Sequence, residues 1–346
     1  MSTNGSGNGN GNGLLYLSGA EVELACQEVD PVACVAQAMA AHAAGEVELP
    51  DEAVLRWEPR GGGMARTLNM PGLIAGDVPI IGTKIINASV QNPASGLPRA
   101  SGVTLLFNPV TARPEAILQA ARISALRTAA VSTLAALHLQ PRVPQVLGVI
   151  GAGPIARAHI LLMMEHLSVE RVLVCDRVDG RARALVQEIR DAGDTAPVED
   201  VADPEVVVRS ADIVVTATTT TTAYIAYHWF EPGALVVNVS LDDVDEETYL
   251  RADRLYVDDW DLVVADTHRL MGKLARAGKI AAPGRNGGRP VDGTLGQLVT
   301  GTCPGRGDDR QIVLVNPFGM AIGDLAIASR VYEVALLRNY GTFLET

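Results

Sequence analysis

The chain has 346 residues, a net charge of −12, 48% hydrophobic residues and only 4% aromatic ones. That length holds two domains around a core of mostly Ala, Val, Leu and Ile. The acidity excludes nucleic acid and anionic membrane as partners, and any anionic ligand requires a local basic cluster. No run reaches transmembrane length and no apolar signal region opens the chain, so the expected compartment is the cytoplasm. Cys26, Cys34, Cys175 and Cys303 show no pairing pattern and read as buried free thiols, and the six histidines lack metal-ligand spacing, so no metal is expected.

Residues 2–13 carry no apolar side chain to offset ordering entropy, and residues 1–13 are expected to be a disordered tail. A short strand at Leu14–Leu17 precedes a helix from about Gly19. Asp30-Pro31 then caps a second helix that stops at Gly45. From Ala53 to Leu118 the pattern is that of strands, with turns expected at Gly61-Gly62-Gly63, Pro71-Gly72, Asn92-Pro93 and Asn108-Pro109. Arg56, Arg66 and Lys84 interrupt these apolar strands. Singly each reads as a surface charge; together they point to a carboxylate pocket, since burying Lys84 between isoleucines requires an anion. A helix over Ala120–Leu139 carries Arg127 among small apolar residues, as an anion ligand or as half of a buried ion pair.

After a Pro-containing connection at 140–145, the apolar run Val146–Ile150 enters Gly151-Ala152-Gly153-Pro154-Ile155-Ala156 and then a helix. Gly151 permits the turn, Gly153 admits a pyrophosphate, and Ala156 allows close helix–strand packing. A second strand, Val172–Cys175, ends in Asp176, placed to accept from the adenosine ribose hydroxyls or to cap the next helix. Its carboxylate favours NAD over NADP, while the adjacent Arg177 softens that preference. Further on, a strand at Asp212–Ala217 runs into Thr218–Thr222, a dinucleotide-contacting edge or a plain loop. The strand Ala234–Ser240 delivers Asp242, Asp243 and Asp245 to the same edge. An acid or base belongs there, whereas Asp242 and Asp245 read as a solvated acidic turn. Strands at Leu255–Val257 and Ile312–Val315 bracket a Gly- and Pro-rich loop with a short helix.

With these residues assembled, the chain resembles the ornithine cyclodeaminase/μ-crystallin family along nearly its whole length after the tail. The resemblance rests on Arg99–Val103, Leu126–Ser132, the Gly151 fingerprint, Val257–Trp260, Leu295–Gly301 with Pro304–Arg306, and Asn316–Ile322. Asp258-Asp259-Trp260, Leu295–Gly301 and Asn316–Ala321 resemble the family's diaminopropionate-forming branch. The resemblance implies an α/β fold: a Rossmann dinucleotide-binding domain (140–319) inserted in an α+β substrate-binding and dimerisation domain (14–139 plus 320–346) of a homodimer. The family's carboxylate ligands fall on Arg56, Lys84 and Arg127, and its catalytic Asp on Asp243, with Lys84 beside it in the chemistry. NAD would meet the fingerprint residues, Asp176, Arg177, Thr218, Thr219, Ser240 and Met320.

Ornithine cyclodeaminases carry a Glu in the strand before a Met-Pro pair, but here Arg66–Pro71 has no acid and adds Arg66. A site that loses an anion and gains a cation prefers a substrate with an extra carboxylate. The implied activity is NAD-dependent oxidative cleavage of N-(2-amino-2-carboxyethyl)-L-glutamate to 2,3-diaminopropionate and 2-oxoglutarate, feeding a siderophore or peptide natural-product pathway. Asp243, kept ionised by the basic pocket, would be acid and base. The alternatives are an ornithine or lysine cyclodeaminase, another amino-acid or imine dehydrogenase, or a non-catalytic binder like μ-crystallin.

Overall fold

The computed structural model describes residues 13–60, 62–141, 146–193 and 197–345. The expected tail (except Gly13), Gly61 of the glycine turn and residues 142–145 of the connection lie outside them. In chain order the first elements are β1 (Gly13–Leu17), α1 (Gly19–Cys26), α2 (Pro31–Ala43), β2 (Val47–Glu48), β3 (Ala53–Trp57), β4 (Ala65–Ile74) and β5 (Ile80–Ser89). Next come β6 (Ala100–Phe107), β7 (Pro114–Gln119), α3 (Ala120–Leu139), β8 (Val146–Ile150), α4 (Pro154–His166), β9 (Arg171–Cys175), α5 (Arg181–Asp191), β10 (Val198–Asp200) and α6 (Pro204–Ser210). Then follow β11 (Ile213–Thr216), β12 (Leu235–Asn238), α7 (Glu246–Arg251), β13 (Arg254–Val257), α8 (Trp260–Ala265), α9 (Leu270–Arg276), β14 (Ile280–Ala281) and β15 (Arg289–Pro290). The chain closes with β16 (Gly293–Thr294), α10 (Leu295–Val299), β17 (Val313–Val315), α11 (Ala321–Arg338) and β18 (Thr342–Glu345).

Two compact units result. The first takes the described residues of Met1–Asp30, Glu46–Ser124 and Asp324–Thr346; the second takes Pro31–Gly45 and Ala125–Gly323. In the first, one sheet runs β18-β1-β7-β6-β5-β4-β2, with β3 also on β4. Only the β1–β7 pair is parallel. Helix α1 opens on a capping box in which Ser18 and Glu21 satisfy each other's backbone N–H groups. Glu21 also accepts the Gly341 N–H, and Glu28 pairs with Arg338, which fixes the C-terminal segment to α1.

Pro71-Gly72, expected as a turn, lies inside β4 with Pro71 opposite Thr83 of β5. On the other side of β4, β3 covers Ala65–Asn69 and β2 covers only Leu73 and Ile74. Pro71 thus falls in a gap with a single neighbouring strand, the edge condition that a residue without N–H needs.

The second unit's main sheet, β10-β9-β8-β11-β12-β17-β13-β16, is parallel throughout. Its central strands are buried along their length, as sheets covered on both faces require. The order reverses at β8, which pairs with both β9 and β11. The crevice beyond the carboxyl ends of β8 and β11 is therefore where a doubly wound sheet receives its ligand. Residues 31–45 and 125–139, expected with the substrate-binding domain, cluster here instead. Helix α2 packs so closely on α10 that a Cβ at Gly296 would lie 2.4 Å from the Met39 carbonyl oxygen. None of the four cysteines is in a disulfide among the described residues; Cys26, Cys34 and Cys175 are buried and Cys303 is partly so. Among the described residues no helix is long and apolar enough to cross a membrane.

Candidate active site

In the second unit, Gly151 follows β8 with φ +105°, and a Cβ there would stand 2.6 Å from the Ala217 carbonyl oxygen. Only glycine fits. Gly153 is the N-cap of α4 with Pro154 next, and a Cβ on it would meet no heavy atom within 4 Å. The N-cap makes no side-chain hydrogen bond to the N–H groups of that helix start. Ala156 is fully buried and Ile155 half-buried. Asp176 accepts the N–H groups of Ala152 and Val178, each at 2.8 Å, through different oxygens. Each oxygen keeps a lone pair for a ribose hydroxyl. Arg177 is exposed. An uncapped helix start over a bare glycine, flanked by a strand-end carboxylate, fits a dinucleotide: Gly151 to Ala156 would hold the phosphates and Asp176 the ribose.

Beside this turn Asp243 is fully buried. Its Oδ1 accepts from Thr218 Oγ1 at 2.8 Å and from the Tyr224 hydroxyl at 3.2 Å, while Ser240 Oγ donates to Oδ2. The Tyr224 and Ile225 N–H groups both donate to the Asp243 carbonyl, which holds the tyrosine in place. Burial pushes the Asp243 pKa above its ordinary value, and Asp242 adds to the rise, against the pull of the three hydroxyls. The main influences on it are burial, three hydroxyls and Asp242, not the surrounding cations that were expected to hold the carboxylate ionised. The Thr218 and Ser240 hydroxyls, expected on the cofactor, donate to Asp243, whereas Thr219 is exposed. Asp242 and Asp245 are not a solvated turn: Asp242 is 5% exposed and accepts the Leu270 N–H, and Asp245 caps α7.

The hydroxyl network continues inward. Ser240 Oγ lies 2.8 Å from Thr216 Oγ1, which donates to Asn238 Oδ1 at 2.7 Å. Asn238 Nδ2 and the Tyr249 hydroxyl then donate to Asn316 Oδ1 at 2.6 and 2.9 Å. Three residues on, Gly319 adopts φ +95°, and Met320 beyond it is 2% exposed, so it offers little of the surface expected for cofactor contact. Arg127 on α3 is half-buried with its guanidinium against Gly319. Sequence reasoning missed Tyr224, Asn238, Asn316 and Asp258; Asp258 and Asn316, both in motifs quoted for the resemblance, carried a signal.

In the first unit, β3–β4 register sets Arg56 directly opposite Arg66, and β4–β5 register sets Met70 opposite Lys84. Because side chains alternate along a strand, Arg56, Arg66 and Lys84 share one face of the sheet. Both arginines are exposed. Lys84 is 1% exposed, and its Nζ lies 2.8 Å from Asp324 Oδ2 on α11. The anion that a buried lysine requires is thus partly internal.

The sequence profile of the ornithine cyclodeaminase/mu-crystallin family matches residues 15–339. The chain belongs to this family. Within it, N-((2S)-2-amino-2-carboxyethyl)-L-glutamate dehydrogenase of Staphylococcus aureus is 34% identical over 96% of this chain and 98% of its own. Alanine dehydrogenase of Archaeoglobus fulgidus is 27% identical over 95% and 97%. Among solved structures, CmnK matches with a TM-score of 0.89 at 35% identity, over 97% of this chain and 99% of that one. Thermococcus litoralis Delta(1)-pyrroline-2-carboxylate reductase, in complex with NADH and L-proline, matches with a TM-score of 0.84 at 25% identity, over 95% and 99%. These family members share the Rossmann-like α/β fold described above.

Proposed function

We propose that this family member, an NAD-dependent amino-acid dehydrogenase, oxidatively cleaves N-(2-amino-2-carboxyethyl)-L-glutamate. The observation that carries the reading is the set of three cations, Arg56, Arg66 and Lys84, on one sheet face of a protein with net charge −12. Two arginines directly opposite across two strands can receive one carboxylate between them. The 34% identity with the Staphylococcus aureus enzyme across 96% of the chain supports the substrate assignment. The alanine dehydrogenase solved as a dimer with bound NAD, 25% identical, supports a homodimer.

In this reading Arg56, Lys84 and Arg127 take the glutamate α-carboxylate, and Arg66 takes a second carboxylate. Gly151, Gly153, Pro154, Ile155, Ala156 and Asp176 hold NAD, which when bound supplies the acceptor for the hydride leaving the glutamate Cα. Asp243 takes the proton of the secondary amine as the C=N bond forms. It then assists addition of water to that bond and returns a proton to the departing amine. The products are 2-oxoglutarate, 2,3-diaminopropionate, NADH and one proton. A carboxyl whose pKa burial raises holds a proton more readily, which suits a group that both takes and gives one. Ser240, Thr218 and Tyr224 hold its oxygens in place.

The test is NADH absorbance after mixing protein, NAD and the adduct, with L-ornithine in a parallel cell. A stoichiometric rise with the adduct alone is expected. Proline and ammonia from ornithine without net NADH would instead place the protein among the cyclodeaminases, and silence in both cells would favour a binder.

A further inference from the structure

We propose that the segment Asn316–Gly319, clamped by the buried carboxylate of Asp258, is a positioning element that sets where the Arg127 guanidinium stands. The inference rests on the reading of Arg127 as a substrate-carboxylate ligand.

Asp258 directly follows β13, and β13 pairs in parallel with β17 so that Tyr256 lies opposite Val315. Two residues beyond that register, the Asp258 side chain meets the loop leaving β17. Its Oδ1 accepts the Phe318 N–H at 2.9 Å and its Oδ2 the Gly319 N–H at 2.5 Å, and its own neighbour Asp259 donates at 3.0 Å. Asp258 is fully buried, and a buried carboxylate with three backbone donors is costly to leave half-satisfied. The loop cannot shift without breaking those bonds.

The held glycine is the one Arg127 leans on. A Cβ at Gly319 would lie 2.4 Å from Arg127 Nη1 and 3.2 Å from both Cζ and Nη2, so the guanidinium occupies the space a side chain would fill. The stem is covered as well, since a Cβ at Gly323 would sit 3.8 Å from Arg127 Cβ and Cδ. At its other end the segment is anchored through Asn316 Oδ1 to Asn238 and Tyr249, which continue through Thr216 and Ser240 to Asp243. One four-residue loop therefore links the buried acid–base group to the arginine. A carboxylate ligand must be held to within fractions of an ångström of the productive geometry, and the loop supplies that support.

The experiment compares R127A, G319A, D258N and the double variants G319A/R127A and D258N/R127A, reading KM for the adduct, kcat and the NAD dissociation constant. R127A is expected to raise KM about a hundredfold. G319A and D258N are each expected to raise KM about ten- to a hundredfold with NAD affinity within about twofold of the parent, the scale of losing a charge-assisted hydrogen bond. In the R127A background neither should add anything. If R127A leaves KM unchanged, Arg127 is not a substrate ligand, and the reading falls together with the inference. If R127A raises KM but the loop variants act undiminished in its background, or abolish NAD binding, the loop serves the fold alone and only the inference is overturned.

Discussion

His159 sits on α4 one turn past the glycine cradle, fully buried, with Nδ1 at 2.7 Å from the Ile155 carbonyl and Nε2 at 2.8 Å from Ser132 Oγ on α3. A carbonyl only accepts, so Nδ1 carries the proton; burial favours the neutral ring, in which Nε2 takes the Ser132 hydroxyl proton that otherwise reaches the Thr128 carbonyl at 3.2 Å. Burial pushes its pKa down to about 4, opposed by the bond to Ile155. The unfolded chain takes up this proton near pH 6.5 and the folded one only near 4, so between those values unfolding binds a proton and stability is lost as the pH is lowered. At about 1.4 kcal/mol per unit, the loss across the window is about 3 kcal/mol. His159→Gln keeps a donor and an acceptor but no titration. Urea unfolding followed through Trp229 and Trp260 fluorescence, at intervals from pH 7 to pH 4, gives the difference between parent and variant. That difference should move by about 3 kcal/mol against the parent, nearly all of it between pH 6.5 and 4, while other titrating groups cancel. Parallel pH profiles for the two proteins would refute a neutral buried imidazole.

Asp243→Asn should lower kcat by at least about a hundredfold, the scale of general acid–base catalysis, with the NAD dissociation constant changed less than about twofold by calorimetry. Gly151→Ala forces a Cβ to 2.6 Å from the Ala217 oxygen at φ +105°, and should weaken NAD binding more than about tenfold and lower the melting temperature. Lys84→Met leaves the Asp324 carboxylate buried without its ammonium and should cost about 3–5 kcal/mol in denaturant unfolding. K84M/D324N should recover much of that loss, which separates the buried charge from the lost packing.

What was legible in the sequence was whatever local pattern dictates. Val146–Ile150 is an unbroken apolar run before two glycines, and a strand, turn and helix follow from that alone. Lys84 among isoleucines announced its need for an anion, but the partner, Asp324, is 240 positions away and sits in the first turn of a helix, flanked by the apolar runs 321–323 and 325–328. No local pattern joins the two. Asp242, Asp243 and Asp245 look alike in sequence, yet one accepts from α9, one is wrapped by hydroxyls and one caps a helix. Those roles depend on which backbone N–H or hydroxyl arrives from elsewhere. Pro71-Gly72 carries a turn's signal, and only the gap between β2 and β3 makes room for it in a strand.

The pairing of α2 with α10 also governs how the protein is made. Val32, Val35 and Met39 of α2 are buried in the finished molecule, but their cover is translated roughly 250 residues later. At about 5–20 residues per second the helix waits on the order of ten to fifty seconds with its apolar face open. The first strand waits longer still, since β1 pairs with β18 at the far end of the chain. Neither unit can close before synthesis nears completion. A ribosome-bound or prematurely ended chain therefore presents apolar surfaces from both units at once.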